Sequence, residues 1–430
     1  MHSRSSSGAL ATLSAFAFLL LLSVRADDWP QWRGAERDGV WRESGIEETF
    51  PRDGLKVLWR VEAGSGWSSP VVAGGRVFLA DAELVKPTAH ERVRAFDASS
   101  GRLLWTYRYD VDYPDWAYAE DQAGGPTATP AVVDGKIYAL GINGAVSCLA
   151  ADTGEVVWKK DLAKDYDVKS FTARASPLID GERVILFVGG KPGACVLALD
   201  RRTGGEVWKA LDEPVTNSSP IIITAAGRRQ LIVWTAESIS SLEPANGTML
   251  WRHPVTTTAF DANDTPVWVG DRLLASGLML KLDADKPGAS VLWPESGGAS
   301  KRILSNTSTP LLVGDTVYSA TNKGDLVCLD ALTGKELWRT DKVTDRKSGS
   351  SIHLTPNDDG VFLFTNLGEL IRARLTPSGY QEISRVKVIE PVYPFGGRKI
   401  TWSPPSFANR CIFVRNEREI LCASLAAEEH

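Results

Sequence analysis

The sequence predicts an all-β fold: an eight-bladed β-propeller of four-stranded blades, closed by the N-terminal strand. Three observations predict it: a recurring Ser/Thr-Pro dipeptide, a Gly–Trp turn pattern late in most repeats, and a final repeat that is one strand short. The dipeptide occurs eight times, 43 to 60 residues apart, ending at Pro70, Pro130, Pro177, Pro220, Pro266, Pro310, Pro356 and Pro404.

Each Ser/Thr-Pro opens a unit of four short strands. In the sixth unit, an apolar run at 311–313 leads into a Gly-Asp turn, and residues 316–319 return as a second strand. A third strand, a Gly-containing turn and a Trp-centred fourth strand complete the unit by Trp338. A sheet this small cannot bury both faces alone, so such units stack around an axis as propeller blades.

The late turn of each repeat carries three periodic residue types. A Gly precedes a Trp by four residues at Gly101/Trp105, Gly154/Trp158, Gly204/Trp208, Gly247/Trp251 and Gly334/Trp338. A Trp covers a large area with few torsions, so we expect it to fill the wedge between blades. Carboxylates four residues before the Gly are predicted to cap turn amides rather than to catalyse: Asp97, Asp200, Glu243 and Asp330. Small residues ten before the Trp predict a packing slot: Ala95, Cys148, Ala198, Ser241 and Cys328.

The eighth repeat, residues 403–425, has only three strands. Residues 55–62 lie before the first repeat and carry Trp59, so they are predicted to form its missing outer strand. This closure removes two exposed sheet edges. Within the eighth repeat, Cys411 and Cys422 flank the Asn416-Glu417 turn symmetrically and are predicted to lie opposite each other.

The N-terminus predicts export. Residues 1–26 combine Arg4, an apolar run at 9–22 and a Val-Arg-Ala cleavage site, as in a secretory signal, with an uncleaved anchor as the alternative. The run is short for a transmembrane helix, and nothing later in the sequence could span a membrane. The predicted division is signal peptide 1–26, N-terminal strap 27–54, propeller 55–425 and tail 426–430. The predicted location is periplasmic or secreted.

Composition excludes several function classes. The formal net charge is −5, and no Lys/Arg stripe stands out, so nucleic acid is not an expected partner. Five Cys are too few for a disulfide scaffold of this length. His90, His253 and His353 lack ligand-like spacing, so no metal site is predicted. The sequence contains neither a phosphate loop nor a nucleophile elbow, and no catalytic residue is assigned.

The Ser/Thr-Pro start, the Asp-x-x-Thr-Gly turn and the following Trp resemble the PQQ-like repeat over about residues 55–425. The resemblance implies an eight-bladed propeller, as in quinoprotein dehydrogenases and BamB-type outer-membrane assembly proteins. The opening at 28–34, with 37–39, is similar to the start of many secreted bacterial PQQ-like repeat proteins. We expect this strap to pack across the propeller, with Trp29 and Trp32 as anchors.

The two branches of the family imply different chemistry. Quinoprotein dehydrogenases hold PQQ between a Trp and a disulfide of adjacent Cys, with a calcium ion bound nearby. This sequence has no adjacent Cys pair, so no cofactor is expected, and PQQ with calcium is the alternative. BamB-type proteins are normally anchored through an N-terminal Cys, which is also absent here.

The candidate binding residues follow from the repeat geometry. Chain crossings between blades place the residues three before each Pro around one mouth of the channel: Trp67, Thr127, Arg174, Asn217, Asn263, Thr307, His353 and Thr401. Polarity and size vary in this ring, as expected for recognition, although a water-filled funnel is the alternative. The loop at 107–124 is rich in Tyr, Trp and acidic residues, and it is predicted to form either a wall of the recognition surface or an ordered lid. The spacing of Asp110, Asp112 and Asp121 matches a calcium-binding loop only weakly.

The predicted ligand-binding residues are Trp67, Arg174, Asn217, Asn263, Asp264, His353, Trp402, Tyr113 and Trp116. The predicted function is that of a non-catalytic, monomeric, exported propeller that binds a protein or polysaccharide ligand at this mouth, in a scaffold or assembly role. The alternative is a PQQ-dependent or related quinoprotein dehydrogenase.

Overall fold

The computed structural model describes residues 28–119, 124–257, 262–275, 277–294, 304–305 and 307–427. The predicted signal peptide at 1–26 lies outside the described residues. Within the described part of the chain, no helix is both long and apolar enough to cross a bilayer.

The described chain forms eight four-stranded antiparallel sheets, which confirms the predicted eight-bladed propeller. Blade 1 comprises Val71–Ala73, Arg76–Val85, Thr88–Asp97 and Leu103–Val111. Blade 2 comprises Ala131–Val133, Lys136–Leu140, Ala145–Ala150 and Val156–Asp161. Blade 3 comprises Leu178–Asp180, Arg183–Gly190, Ala194–Asp200 and Glu206–Ala210. Blade 4 comprises Ile221–Ala225, Arg228–Trp234, Ser238–Leu242 and Met249–Pro254.

The remaining blades repeat the same order of strands. Blade 5 comprises Val267–Val269, Arg272–Ala275, Leu278–Leu282 and Ala289–Trp293. Blade 6 comprises Leu311–Val313, Thr316–Ala320, Leu326–Asp330 and Glu336–Thr340. Blade 7 comprises Ile352–Asn357, Gly360–Thr365, Glu369–Thr376 and Gly379–Lys387. Blade 8 comprises Ser406–Ala408, Cys411–Arg415, Glu419–Ser424 and the N-terminal Val57–Glu62.

Three short elements lie outside the blades. A hairpin of Tyr393–Phe395 and Arg398–Ile400 joins blades 7 and 8. A 3-10 turn spans Asp115–Tyr118, and a single helical turn spans Leu162–Asp165. The hairpin and the 3-10 turn both contribute aromatic residues to the site described below.

The closure of the ring is as predicted. Val57–Glu62 pairs antiparallel with Glu419–Ser424, for example Arg60 with Leu421. On the other side of this blade, the fully buried Arg415 donates to the carbonyl oxygens of Ala80 and Gly64, which belong to blade 1 and its approach. Backbone pairing and a buried guanidinium therefore join the two ends of the propeller.

The wedge tryptophans explain the turn glycines. Trp59 donates its indole N–H to Ala98 O at 2.8 Å, and a Cβ on Gly101 would lie 2.7 Å from the Trp59 ring. The same stacking recurs at Trp105/Gly154, Trp158/Gly204, Trp208/Gly247 and Trp293/Gly334. Each Gly thus receives the Trp of the preceding blade rather than the Trp that follows it in sequence. Glycine is therefore required for two reasons: a Cβ would collide with the Trp ring, and the backbone adopts a positive φ.

The other two periodic predictions are largely confirmed. Small residues pair directly across from the wedge Trp, as in Cys148 with Trp158. Asp97 Oδ1 accepts the amides of Ser99 and Ser100 at 3.1 and 3.0 Å, and Asp200 and Asp330 cap their turns in the same way. Glu243 is the exception to the capping prediction, because its longer side chain accepts from Arg228 Nε at 2.8 Å instead.

The predicted pairing of Cys411 with Cys422 is wrong by two residues. Cys411 lies opposite Ser424, and Cys422 lies opposite Phe413. The turn is centred one residue later than expected because Asn416 Oδ1 accepts the amides of Arg418 and Glu419. The two thiols are diagonal neighbours, and all five cysteines are free and buried.

Candidate functional site

The N-terminal strap closes one end of the channel. Trp29 bridges to Val72 in blade 1 through both backbone hydrogen bonds, and Val132 of blade 2 donates to Pro30 O at 2.8 Å. Trp32 donates its indole N–H to Thr265 Oγ1 at 2.8 Å. Both predicted anchors therefore contact the propeller, but Trp41, which is stacked on Phe407 at 5.0 Å and only 1 % exposed, is the deepest anchor.

Two strap arginines reach into the channel. Arg37 donates to the carbonyl oxygens of Pro177 and Pro220, in blades 3 and 4, at 2.9 and 3.2 Å. Burial, and then the charge of Arg33, lowers the pKa of Arg37 to about 9. Burial likewise lowers the pKa of Arg33 to about 10, against the opposing effect of Asp38 and Asp264. The strap thus places positive charge on the axis.

The Ser/Thr residues before each Pro place a ring of eight hydroxyls around the channel. At four of the eight junctions, this hydroxyl accepts the backbone N–H of the equivalent residue in the preceding blade. Four such bonds, each 3.0 Å long, join Ser69 N to Thr129 Oγ1, Thr129 N to Ser176 Oγ, Ser176 N to Ser219 Oγ, and Thr265 N to Thr309 Oγ1. The restriction to Ser and Thr was visible in the sequence, but its cause is an interblade contact that no single repeat reveals.

The opposite end of the channel is the mouth, ringed by the residues three before each Pro. Seven of these eight side chains are half-buried, and only Thr401 is fully buried. Eight of the nine predicted binding residues fall into three groups at the mouth. The ninth, Asp264, is buried beside the strap, and its charge acts on Arg33.

The first mouth group is an aromatic cluster at the junction of blades 8 and 1. Trp67 and Trp402 meet edge to face with ring centroids 5.3 Å apart, and Tyr393 of the inserted hairpin lies 5.6 and 5.3 Å from them. Trp67 donates its indole N–H to Glu417 Oε1 at 3.0 Å, and burial raises the pKa of Glu417. His353 Nε2 donates to Trp402 O at 3.2 Å, which ties the next ring residue to this cluster.

The second mouth group joins the aromatic loop to blade 3. Phe171 packs against Trp116 and Tyr113 with centroid distances of 4.6 and 5.0 Å, and Arg174 lies 6.0 Å over the Phe171 ring. Trp116 is 46 % exposed, so a large aromatic surface faces solvent. The loop therefore lies at the mouth beside Arg174, and Phe171, which bridges them, was not predicted.

A buried carboxyl holds this loop in place. Glu91 accepts hydrogen bonds from the hydroxyls of Tyr109 and Tyr113, the latter at 2.7 Å, and from the amide of Ile142 at 3.2 Å. Burial raises the pKa of Glu91, against the opposing effect of the three donors. Tyr113 is thus fixed as a wall of the mouth by its hydroxyl.

The third mouth group is an amide pair. Asn217 Nδ2 donates to Asn263 Oδ1 at 2.5 Å, which links the ring positions of blades 4 and 5. Paired amides keep donors and acceptors in a fixed arrangement at the rim. The mouth therefore presents aromatic surface, one guanidinium and amide groups, a composition that suits recognition of a polypeptide or sugar.

The residues do not fit a quinone cofactor with calcium. The five cysteines are all described, none is adjacent to another, and the axis below the mouth is occupied by Trp32 and Arg33. Between the strap and the blades there is a cavity of about 50 Å³, too small for a tricyclic quinone. Among the described residues, no three His, Cys, Asp or Glu side chains are grouped to hold a metal ion.

Comparison with known proteins places the chain in one family. The family described as outer membrane protein assembly factor BamB matches residues 52–116 and 89–279, and the β-propeller domain of glucose/ethanol/alcohol dehydrogenases matches residues 293–366. BamB of Shewanella oneidensis is 27 % identical over 253 residues, which are 55 % of this chain and 60 % of that protein. BamB of Burkholderia pseudomallei is 26 % identical over 235 residues, 52 % of this chain and 58 % of that protein. The chain thus spans about 60 % of the length of these curated relatives.

Solved structures agree on the fold. BamB from Moraxella catarrhalis aligns with a TM-score of 0.58 at 18 % identity, over 87 % of this chain and 99 % of that one. Quinohemoprotein alcohol dehydrogenase from Comamonas testosteroni aligns with a TM-score of 0.64 at 15 % identity, over 94 % of this chain and 81 % of that one. Because the BamB family matches more than half of the sequence, the chain belongs to the PQQ-repeat β-propeller family described as outer membrane protein assembly factor BamB.

Proposed function

We propose that this chain is a non-catalytic, exported propeller whose mouth binds a protein segment in a scaffold or assembly role. The observation that carries the proposal is the contrast between the two channel ends. One end is closed by the strap, whereas the mouth exposes aromatic rings next to a guanidinium. Rigid aromatic and arginine side chains contribute most of the binding energy in many protein interfaces.

The proposed contact residues are the nine predicted from the sequence, now ordered by position. Trp67, Trp402 and His353 form one side of the mouth, Arg174, Tyr113 and Trp116 form another, and Asn217 and Asn263 lie between blades 4 and 5. Asp264 would contribute indirectly, through its charge on Arg33. An extended polypeptide entering the mouth would meet aromatic surface on two sides and amide groups between them.

The kind of partner is inferred from the relatives. Several are named as outer membrane protein assembly factors, so an unfolded outer-membrane protein or another assembly component is the partner we propose for this chain. We propose a periplasmic location as well, which the names of these relatives and the predicted signal peptide support. The propeller is proposed to act as a monomer and without a cofactor.

The test is a binding titration with a fluorescently labelled, urea-unfolded outer-membrane β-barrel polypeptide diluted into buffer with the purified chain. Replacing Arg174 or Trp402 by Ala should weaken binding at least about tenfold, as expected for anchors of an interface. Arg202→Ala is the matched control, because Arg202 is a 70 % exposed arginine on a turn that belongs to the strap side of blade 3. Equal affinity for all these variants and the wild type would contradict the proposal.

The dehydrogenase alternative has sequence matches in its favour, among them that of residues 293–366 to a dehydrogenase propeller domain. Titration with PQQ and calcium, followed by absorbance and Trp fluorescence, tests it directly. We expect no saturable change at micromolar PQQ and no dye-linked alcohol oxidation. Tight binding together with turnover would replace the scaffold proposal.

A further inference from the structure

The cavity of about 50 Å³ lies inside the channel, between the strap and the mouth ring. A buried water needs roughly 10–15 Å³ measured in this way, so the cavity has room for a few waters or one small polar molecule. Its lining includes Arg33 from the strap, Ser69 and Thr309 from the hydroxyl ring, and His353 from the mouth ring. These hydrogen-bonding groups stand beside apolar residues such as Leu354, Pro404 and Pro405.

Four of the eight junctions lack the interblade hydroxyl bond, and one of them, between blades 8 and 1, lies at this cavity. By analogy with the four junctions that have the bond, Ser69 Oγ would accept the amide of Ser403 there. Instead, Ser69 Oγ is buried without a hydrogen-bond partner, in a residue that is 3 % exposed. The next hydroxyl in blade 8, on Ser406, donates to Pro70 O and does not replace it. A buried hydroxyl without a partner is costly, which indicates that something outside the described chain satisfies it.

Arg33 offers a second group to the same cavity. Its Nε and Nη2 donate to the carbonyl oxygens of Arg37 and Asp38 at 3.3 and 2.6 Å. Its Nη1 has no hydrogen-bond partner in the part of the chain that the structure describes. A guanidinium with one nitrogen that makes no hydrogen bond is suited to bind a carboxylate or another oxyanion.

The charge around the cavity is also favourable to an anion. Arg37 lies beside Arg33 and donates to backbone carbonyls and to Gln31, with no carboxylate in ion-pair contact among the described residues. Asp264 offsets part of this charge, and Asp38 is engaged by Arg42 at the surface. His353 holds its proton on Nε2 for Trp402 O, so its Nδ1 adds no positive charge.

We propose that this cavity binds a small free anion of carboxylate size, hydrogen-bonded by Arg33 Nη1 and Ser69 Oγ. The anion would supply the missing partner of Ser69 Oγ and tie the strap to the junction of blades 8 and 1. Binding would therefore stabilise the closed strap, because the anion contacts both the strap and the blades.

Isothermal titration with acetate, at constant ionic strength set with chloride, tests the proposal. Acetamide is the matched neutral control, since it has the same shape without the charge. We expect saturable acetate binding, a rise in the melting temperature that follows the same saturation, and no comparable effect of acetamide. In parallel, acetate should raise the pKa of His353 from about 4, measured by NMR of its ring protons.

Two variants locate the anion. Ser69→Ala removes a hydroxyl that makes no hydrogen bond within the described chain, so without acetate its melting temperature should equal or exceed that of the wild type. Its acetate affinity should fall by about tenfold. Arg33→Gln should reduce acetate affinity further, although it also disturbs the strap.

Three results would overturn the proposal. These are the absence of saturable acetate binding, equal binding of acetamide and acetate, or an acetate affinity unchanged by Ser69→Ala. The Ser69→Ala result decides the location even if Arg33→Gln fails to fold.

Discussion

The two ends of the channel are built from the same repeat but serve different purposes. At the strap end, polar groups bond to the blades: Glu43 accepts the amides of Asn409 and Arg410, and Asn357 donates to the carbonyl oxygens of Trp41 and Glu43. At the mouth, half-buried side chains bond to one another, as in the Asn217–Asn263 pair, or to neighbouring backbone carbonyls, as in Arg174 with Phe171 O. One end is covered by its own chain, and the other leaves half-buried side chains open, where we propose that a partner binds.

We expect the largest loss of stability from a substitution at the strap end. Trp41→Ala should lower the free energy of unfolding by about 3–5 kcal/mol, because it empties a space between Phe407 and Phe362 in the core. Urea denaturation followed by far-UV circular dichroism measures it. Trp116→Ala is the matched control at the mouth and should change stability by less than about 1 kcal/mol, since that ring is 46 % exposed. Similar losses of stability for the two variants would contradict the view that the strap end is packed more tightly than the mouth.

The buried strap carboxylate should have the next largest effect. Glu43→Gln keeps the shape of the side chain but removes the charge that accepts the amides of Asn409 and Arg410. We expect a loss of about 1.5–3 kcal/mol, the usual range for hydrogen bonds to a charged group. Glu36→Gln, at an exposed strap position, serves as the control and should be nearly neutral. A neutral Glu43→Gln variant would show that the strap is held by its aromatic residues alone.

His353 gives a pH dependence of smaller size. Burial lowers its pKa to about 4 from the ordinary 6.5, with the charge of Arg33 adding to the effect. The unfolded chain therefore binds a proton between pH 6.5 and 4 that the folded chain does not, so stability is full above pH 6.5 and falls as the pH drops towards 4. The full shift would correspond to about 3 kcal/mol, and because the His353 side chain is only half-buried we expect a loss on the order of 2 kcal/mol.

This pH effect can be assigned by substitution. His353→Gln should flatten the pH profile of the unfolding free energy between pH 4 and 6.5 relative to the wild type. His90→Gln is the control, because His90 is a histidine outside the channel that pairs with Asp110. A profile that His353→Gln leaves unchanged would assign the pH dependence to other groups.

Much of the fold could be predicted because the propeller repeats its local signals. Eight Ser/Thr-Pro starts and the unpaired Trp59 strand determined the number of blades and the closure. The Gly101 contact with Trp59 was not predicted, since it joins residues of different repeats. The Cys411 register was missed because one Asn side chain moved the turn by one residue.

The candidate site was predictable in position but not in its bonding. The ring of residues three before each Pro follows from blade topology alone. In contrast, Phe171 between Arg174 and Trp116, and Arg37 between blades 3 and 4, depend on long-range packing that leaves no local pattern. The strap in particular is a single copy with no repeat to compare, so only its tryptophans stood out.

Site-specific photo-crosslinking in the native cell envelope tests directly whether the mouth is the recognition end of the propeller. A photoreactive phenylalanine derivative at position 116, on the mouth, is compared with one at position 207, an exposed valine on the outer strand of blade 3. We expect a discrete crosslinked partner from position 116, lost when Arg174→Ala is added, and no such band from position 207. A partner captured from position 207 but not from position 116 would contradict that role of the mouth.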